Sequence, residues 1–148
     1  MARNTSNYDR LYNSMKENFT VANSDCSLGE YMLMKAAHSA GIEVLITGQM
    51  PKQKDANMLF FDAATEALTN AVRHADAKTL CVELTEDNKA YSVCFTNDVS
   101  KPQNKIVEGG GLGSLRQKTE QIGGTMEVLY QPEFVLRLTV LKKRGDNL

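Results

Sequence analysis

The 148-residue chain has no excess of either charge, no paired cysteines and no long apolar run, and each absence excludes something. Seventeen Lys and Arg stand against eighteen Asp and Glu, for a formal net charge of −1. No global basic field therefore points to nucleic acid, and any phosphate binding must come from a local site. The three cysteines, Cys26, Cys81 and Cys94, are odd in number and far apart. They form neither a C-x-x-C motif nor a metal-ligand spacing, so a disulfide framework is not expected and a reducing, cytoplasmic setting fits best. No stretch approaches the roughly 18–20 apolar residues that a membrane span requires. The opening Met1-Ala2-Arg3-Asn4 is polar and lacks the apolar core of a signal peptide. The chain itself is expected not to insert into a membrane, whatever anchors a parent protein. There is no internal repeat and no low-complexity tract. What is present is 42% hydrophobic and 24% charged, enough for a domain with a core of its own.

The periodicities alternate between helix and strand. Tyr8, Leu11, Tyr12, Met15 and Phe19 sit at helical spacing. Ser27 and Glu30 have the capping-box spacing for a second helix running to about Ser39, with Gly41 as its stop. Residues 42–47 alternate as a strand, and Gly48 to Pro51 reads as a turn. Asp55 to Ala75 is the longest helical stretch, with Phe61, Ala64, Leu68, Val72 and Ala75 as its apolar stripe. Strands follow over Thr79–Thr85 and Lys89–Asn97, with Leu80, Val82 and Leu84 sharing one face and Tyr91, Val93 and Phe95 the other strand's equivalent. A polar loop runs from Asp98 to Gly110, then a helix from Leu112 to Ile122 stopped by Gly123-Gly124. A hairpin over Thr125–Tyr130 and Phe134–Leu141 closes the pattern. Strands that alternate in this way bury one face only. The expected fold is a two-layer α/β sandwich, with a mixed, mostly antiparallel sheet and about three helices on one face.

Four clusters carry possible chemistry. Glu66 and Asn70 lie four apart, so they stack on one helical face; Asp62 extends the row backwards, and Arg73 and His74 forwards. An amide oxygen suits Mg²⁺, a carboxylate one turn away can hold a metal-bound water or take a proton, and Arg73 or His74 can meet a phosphate. A solvated polar face is the plainer alternative, but the flanking Ala63, Ala67 and Ala71 are small, as though something approaches closely. Next, Gly109, Gly110, Gly111 and Gly113 place four glycines in five positions at a helix start. That composition offers exposed amides for an anion, or else a hinge. It lacks the Lys-Ser/Thr ending of a P-loop. Third, β-patterned residues end in Asn97-Asp98, which can accept a hydrogen bond from an adenine amino group or simply make a turn. Fourth, Lys101 and Lys105 lie in a loop that could close over a nucleotide, or be solvated.

Taken in order, these segments resemble the GHKL ATPase superfamily and, within it, the catalytic domain of bacterial sensor histidine kinases. Phe61 to Ala75 resembles the N box, Gly109 to Leu115 the G2 box, and Gln121 to Val128 the segment that follows it. The match runs from about Ser27 to Leu141. The G1 box departs: the family shows Asp-x-Gly-x-Gly, where this chain aligns Asn97, Asp98 and Val99. An Asn accepts a hydrogen bond without charge assistance, so a weaker adenine contact is expected. No F box is found.

The resemblance implies a Bergerat-type ATP-binding fold with ATP and Mg²⁺ as cofactors. Asn70 would coordinate Mg²⁺, and Glu66 would be catalytic, acting on the metal directly or through a water. Arg73, His74, Asn97, Asp98, Lys105, Gly109, Gly111, Leu112 and Gly113 would complete the ATP site. Residues 1–24 would be an N-terminal segment, the end of a dimerisation helix or a docking helix, and 25–148 the catalytic domain. Neither His38 nor His74 fits a phosphoacceptor, which is therefore expected outside this chain. Implied partners are the kinase's own dimerisation and phosphoacceptor domain, in a homodimeric parent, and a response regulator, with no nucleic acid. An anti-sigma factor serine kinase of the same superfamily and a degenerate nucleotide-binding interaction module are the alternatives.

Overall fold

A computed structural model describes residues 35–75, 77–98, 111–130 and 133–143, with the side chains of His74 and Ala75 excepted. The expected helix over Asn7–Phe19, the segment 1–24, the Ser27/Glu30 cap and the loop residues Lys101, Lys105, Gly109 and Gly110 lie outside the described residues.

Five strands form one sheet: β1 (Glu43–Thr47), β2 (Thr79–Glu86), β3 (Ala90–Asn97), β4 (Thr125–Leu129) and β5 (Val135–Leu141). Their order is β1-β2-β3-β5-β4; β1 and β2 run parallel and every other pair is antiparallel. The sheet is thus mixed and mostly antiparallel, as the alternation requires. The helix α1 (Lys54–Asn70) makes the crossover between the parallel pair, and α2 (Gly111–Gln121) lies between β3 and β4 in sequence. A further helical segment over residues 35–39 ends at Gly41, where φ is +79°.

The core lies between the helices and one face of the sheet. Leu80, Val82 and Leu84 of β2, Tyr91, Val93 and Phe95 of β3, and Leu136, Leu138 and Val140 of β5 are all buried. Register stacks Val82 against Phe95 and Phe95 against Leu136, so the period-2 pattern is continuous across three strands. The opposite face is polar, with Ser92 bonded to Thr139 at 3.2 Å and Arg137 paired with Glu127 at 3.2 Å. Cys81 and Cys94 are free thiols.

Helix α1 departs from its expected stripe. Phe61, Ala64 and Leu68 are buried, but Val72 is 37% exposed. Ala56, Leu59, Phe60, Ala63, Ala67 and Ala71 are buried as well. The helix is covered on two sides, by the sheet and by α2, so its apolar surface is wider than one stripe. The small alanines admit this close packing. After Asn70 the chain winds into a π-helical turn over Ala71–Ala75. There the Ala77 amide bonds to the Ala71 carbonyl at 3.1 Å and leads the chain into β2.

Gly48 follows β1 at φ +88°, and a side chain there would overlap the Leu84 carbonyl. Both facts require glycine where β1 turns away from its parallel neighbour.

Candidate functional site

Topology decides which residues can meet. Because α1 returns from β1 to the parallel β2, its C-terminal end lies where β2 begins. Leu80 near the start of β2 is in register with Asn97 at the end of β3. Asn70, Asn97 and Asp98 therefore belong to the same end of the sheet.

The row on α1 faces α2. A Cβ built on Gly111 would run into the Glu66 carboxylate, lying 2.7 Å from its Cδ. The first residue of α2 is thus in contact with Glu66, and a larger side chain there would have to push the carboxylate aside. Two turns further on, Lys118 pairs with Asp62 at 3.2 Å. The two helices run antiparallel along this seam, with Gly111 beside Glu66 and Lys118 beside Asp62. The row consequently lies against α2 and flanks the core. Sequence reasoning did not single out Lys118. The seven-residue spacing from Gly111 puts it on the same helical face and was the available signal.

Glu66 is only partly exposed. Burial, with the neighbouring charge of Asp62, pushes its carboxyl above the ordinary carboxylate range, against the opposing pull of Lys118 and Arg73. A carboxylate so placed holds a proton or a metal-bound water more readily than one in open solvent. Asn70, one turn on, is 4% exposed and makes an interaction of its own. Arg73 is exposed but close enough to act on Glu66 electrostatically. His74 lies in the π-helical turn. The wider winding takes Arg73 and His74 off the α-helical spacing that would have continued the row.

Leu112 is buried with Leu115 and Thr119, and these three anchor α2 to the core. Leu112 can therefore offer a ligand its backbone only. Gly113 is half-buried. Arg116 donates to the Met126 carbonyl at 3.0 Å and ties α2 to β4.

The two residues at the end of β3 differ sharply. Asp98 is exposed, and its Oδ1 accepts hydrogen bonds from the amides of Lys78 at 2.9 Å and Thr79 at 2.7 Å. The Thr79 bond, seconded by the Lys78 amide, holds its carboxyl below the ordinary range despite slight desolvation. The Asp98 carboxylate fastens β3 to the start of β2, the turn chemistry that a strand end allows. Asn97 is 4% exposed, and neither its Oδ1 nor its Nδ2 has a hydrogen-bond partner among the described residues. A buried amide left unpaired costs about 1–3 kcal/mol, which structure alone does not justify.

A cavity of about 620 Å³ lies elsewhere, lined by His38, Gly41, Ile42, Glu43, Val44, Leu45 and Lys78 along the β1 edge. None of the expected site residues lines it. Among the described residues no group of three or more His, Cys, Asp or Glu could hold a metal by itself, and no helix is long and apolar enough to cross a membrane.

The chain is similar to the histidine kinase domain of the blue-light activated histidine kinase from Erythrobacter litoralis. The TM-score is 0.62 at 15% identity, over 90% of this chain and 76% of that one. The fold is that of a histidine kinase domain. Another structure of the Erythrobacter litoralis kinase matches at TM-score 0.57 and 19% identity, over 83% of this chain and 43% of that one. The Acinetobacter baumannii histidine kinase AdeS matches at TM-score 0.58 and 13% identity, over 79% of this chain and 64% of that one. The chain thus spans about two fifths to three quarters of the proteins it matches. No protein-family model matches the sequence.

Proposed function

We propose that this chain is the ATP-binding catalytic domain of a two-component sensor histidine kinase, transferring the γ-phosphate of ATP to a histidine carried outside this chain. The observation that carries the reading is the contact between Glu66 and Gly111, which sets the acidic row of α1 against the glycine-opened N-terminus of α2. Backbone amides in the first turn of α2, at Gly111, Leu112 and Gly113, are unsatisfied within the helix and suit phosphate oxygens. Gly109 and Lys105 belong to the same proposed phosphate set. Arg73 supplies positive charge near Glu66, and His74 belongs to the same proposed phosphate set. Asn97, buried at the end of β3 and without a partner among the described residues, suits a purine edge. Asp98 supports it by fixing the strand end.

Glu66 and Asn70 offer hard oxygen donors one helical turn apart, a donor set that fits Mg²⁺ when phosphates and waters complete its coordination. When bound, Mg²⁺ supplies neutralisation of the phosphate charge. In the transfer, the histidine Nε2 lone pair forms a bond to the γ-phosphorus. The bond from that phosphorus to the β,γ-bridging oxygen breaks, and ADP leaves with the electron pair. The chain's contribution is to position the phosphates in line and to exclude water. Glu66, with its raised proton affinity, assists at the metal or at its water.

The proposed partners are the parent's own dimerisation and phosphoacceptor domain and a response regulator, in a homodimer on the cytoplasmic side. Likeness to histidine kinase domains supports this assignment over a serine kinase of the same superfamily. Titration of the chain with ATP and Mg²⁺ is expected to show saturable binding, weakened about tenfold or more in Asn70→Ala, the scale of a lost charge-assisted contact. Equal affinities would remove Asn70 from the site.

A further inference from the structure

Resting on the proposed nucleotide site, we infer that this chain accepts 6-oxopurine nucleoside triphosphates, those of hypoxanthine and guanine, as well as ATP. Asn97 is the reason. Its amide is buried, ends β3 on the core-facing side in line with Phe95, and offers one acceptor and one pair of donors.

A ligand that satisfies both atoms must present a donor next to an acceptor. Adenine does so with its exocyclic N6–H beside the N1 lone pair. Hypoxanthine and guanine do so with the polarity reversed, O6 accepting and N1–H donating. An amide meets either edge by a half-turn about its Cβ–Cγ bond, which exchanges Oδ1 and Nδ2 in nearly the same volume. In most buried asparagines that half-turn is forbidden, because protein hydrogen bonds fix which end is oxygen. Here neither atom has a partner among the described residues, so no hydrogen bond from them selects an orientation. A carboxylate in the same place would accept from N6–H and repel O6, giving adenine selectivity. The amide gives that selectivity up.

The neighbouring Asp98 does not restore it. Its carboxylate is exposed and turned to the Lys78 and Thr79 amides.

The test is calorimetric titration of the full chain with ATP and with ITP, each with Mg²⁺. The wild type is expected to bind the two within about threefold of each other, since each base makes two hydrogen bonds. Asn97→Asp is expected to weaken ITP about tenfold or more relative to ATP, because a carboxylate meets O6 with like charge. Asn97→Leu, close in volume and free of polar atoms, should weaken both nucleotides together while the unliganded protein melts no lower than wild type. In the wild type, the Asn97 side-chain amide resonance should shift with either nucleotide. A wild-type preference for ATP of about thirtyfold or more overturns the inference and leaves the kinase reading standing. Undiminished binding of both nucleotides by Asn97→Leu also overturns it, since Asn97 would then touch no base. Absence of binding by either nucleotide overturns the nucleotide site itself. Should Asn97→Asp fail to fold, the wild-type ratio and Asn97→Leu still decide.

Discussion

Glu66 and Gly111 are two residues whose roles cannot be separated. A side chain at Gly111 would take the space that the Glu66 carboxylate occupies. Gly111→Ala is expected to force Glu66 aside and lower both melting temperature and nucleotide affinity. The raised pKa of Glu66 has a pH consequence of definite sign. Between its unfolded and folded values the native state holds more protons, so this residue's contribution to stability falls as pH rises through the folded value. Glu66→Gln is therefore expected to match the wild type in acid and to gain on it towards neutrality, as read by denaturant midpoints at several pH values. A wild-type advantage that grows with pH would contradict the burial argument. The same substitution should lower phosphotransfer in a reconstituted kinase while leaving the fold intact.

Among the elements, α1 and the sheet were largely legible, because their evidence is periodic. Leu80-Val82-Leu84 and Tyr91-Val93-Phe95 alternate cleanly, and their burial follows from a period of two. The boundaries of β2 and α2 moved by one residue, Gly111 joining the helix that Leu112 was expected to open. Val72 was misassigned because the stripe was extended through Ala71–Ala75 at α-helical spacing, and winding there is wider. Nothing in Ala-Val-Arg-His-Ala announces a π turn; it arises where α1 must hand the chain to β2. Asp98 was ambiguous for a different reason. A carboxylate at a strand end can cap amides or bind a ligand, and only the folded positions of Lys78 and Thr79 show that amides are capped here. The burial of Phe95 between β2 and β5 gives a stability prediction: Phe95→Ala should destabilise the chain by about 3–5 kcal/mol in urea unfolding. Breaking the Lys118–Asp62 pair, half-exposed on its lysine side, should cost under about 1 kcal/mol by the same measurement.

For the molecule as a whole, the candidate site belongs to one end of the sheet. Residues from α1, β3 and the start of α2 converge there although 45 positions separate Glu66 from Gly111. Sequence motifs named most of these residues one by one, but their convergence depends on a parallel crossover beside antiparallel hairpins, which local patterns do not encode. Ligand binding should stabilise this whole assembly. At a nucleotide concentration a hundredfold above Kd, the gain should be about 2.7 kcal/mol, visible as a concentration-dependent melting temperature.

The hairpin that joins β2 to β3 occupies the other end. There Asp87 receives the amides of Lys89 at 2.7 Å and Ala90 at 2.8 Å, and Lys142 bonds back to the Lys89 carbonyl at 2.8 Å. This bend is a natural splice point: a short Gly-Ser peptide grafted at Asn88 should loosen the hairpin and lower the melting temperature, yet leave the dissociation constant for ATP as it was. A fluorophore carried on that graft would then stand a full strand length from the nucleotide, and could track the domain without touching its ligand.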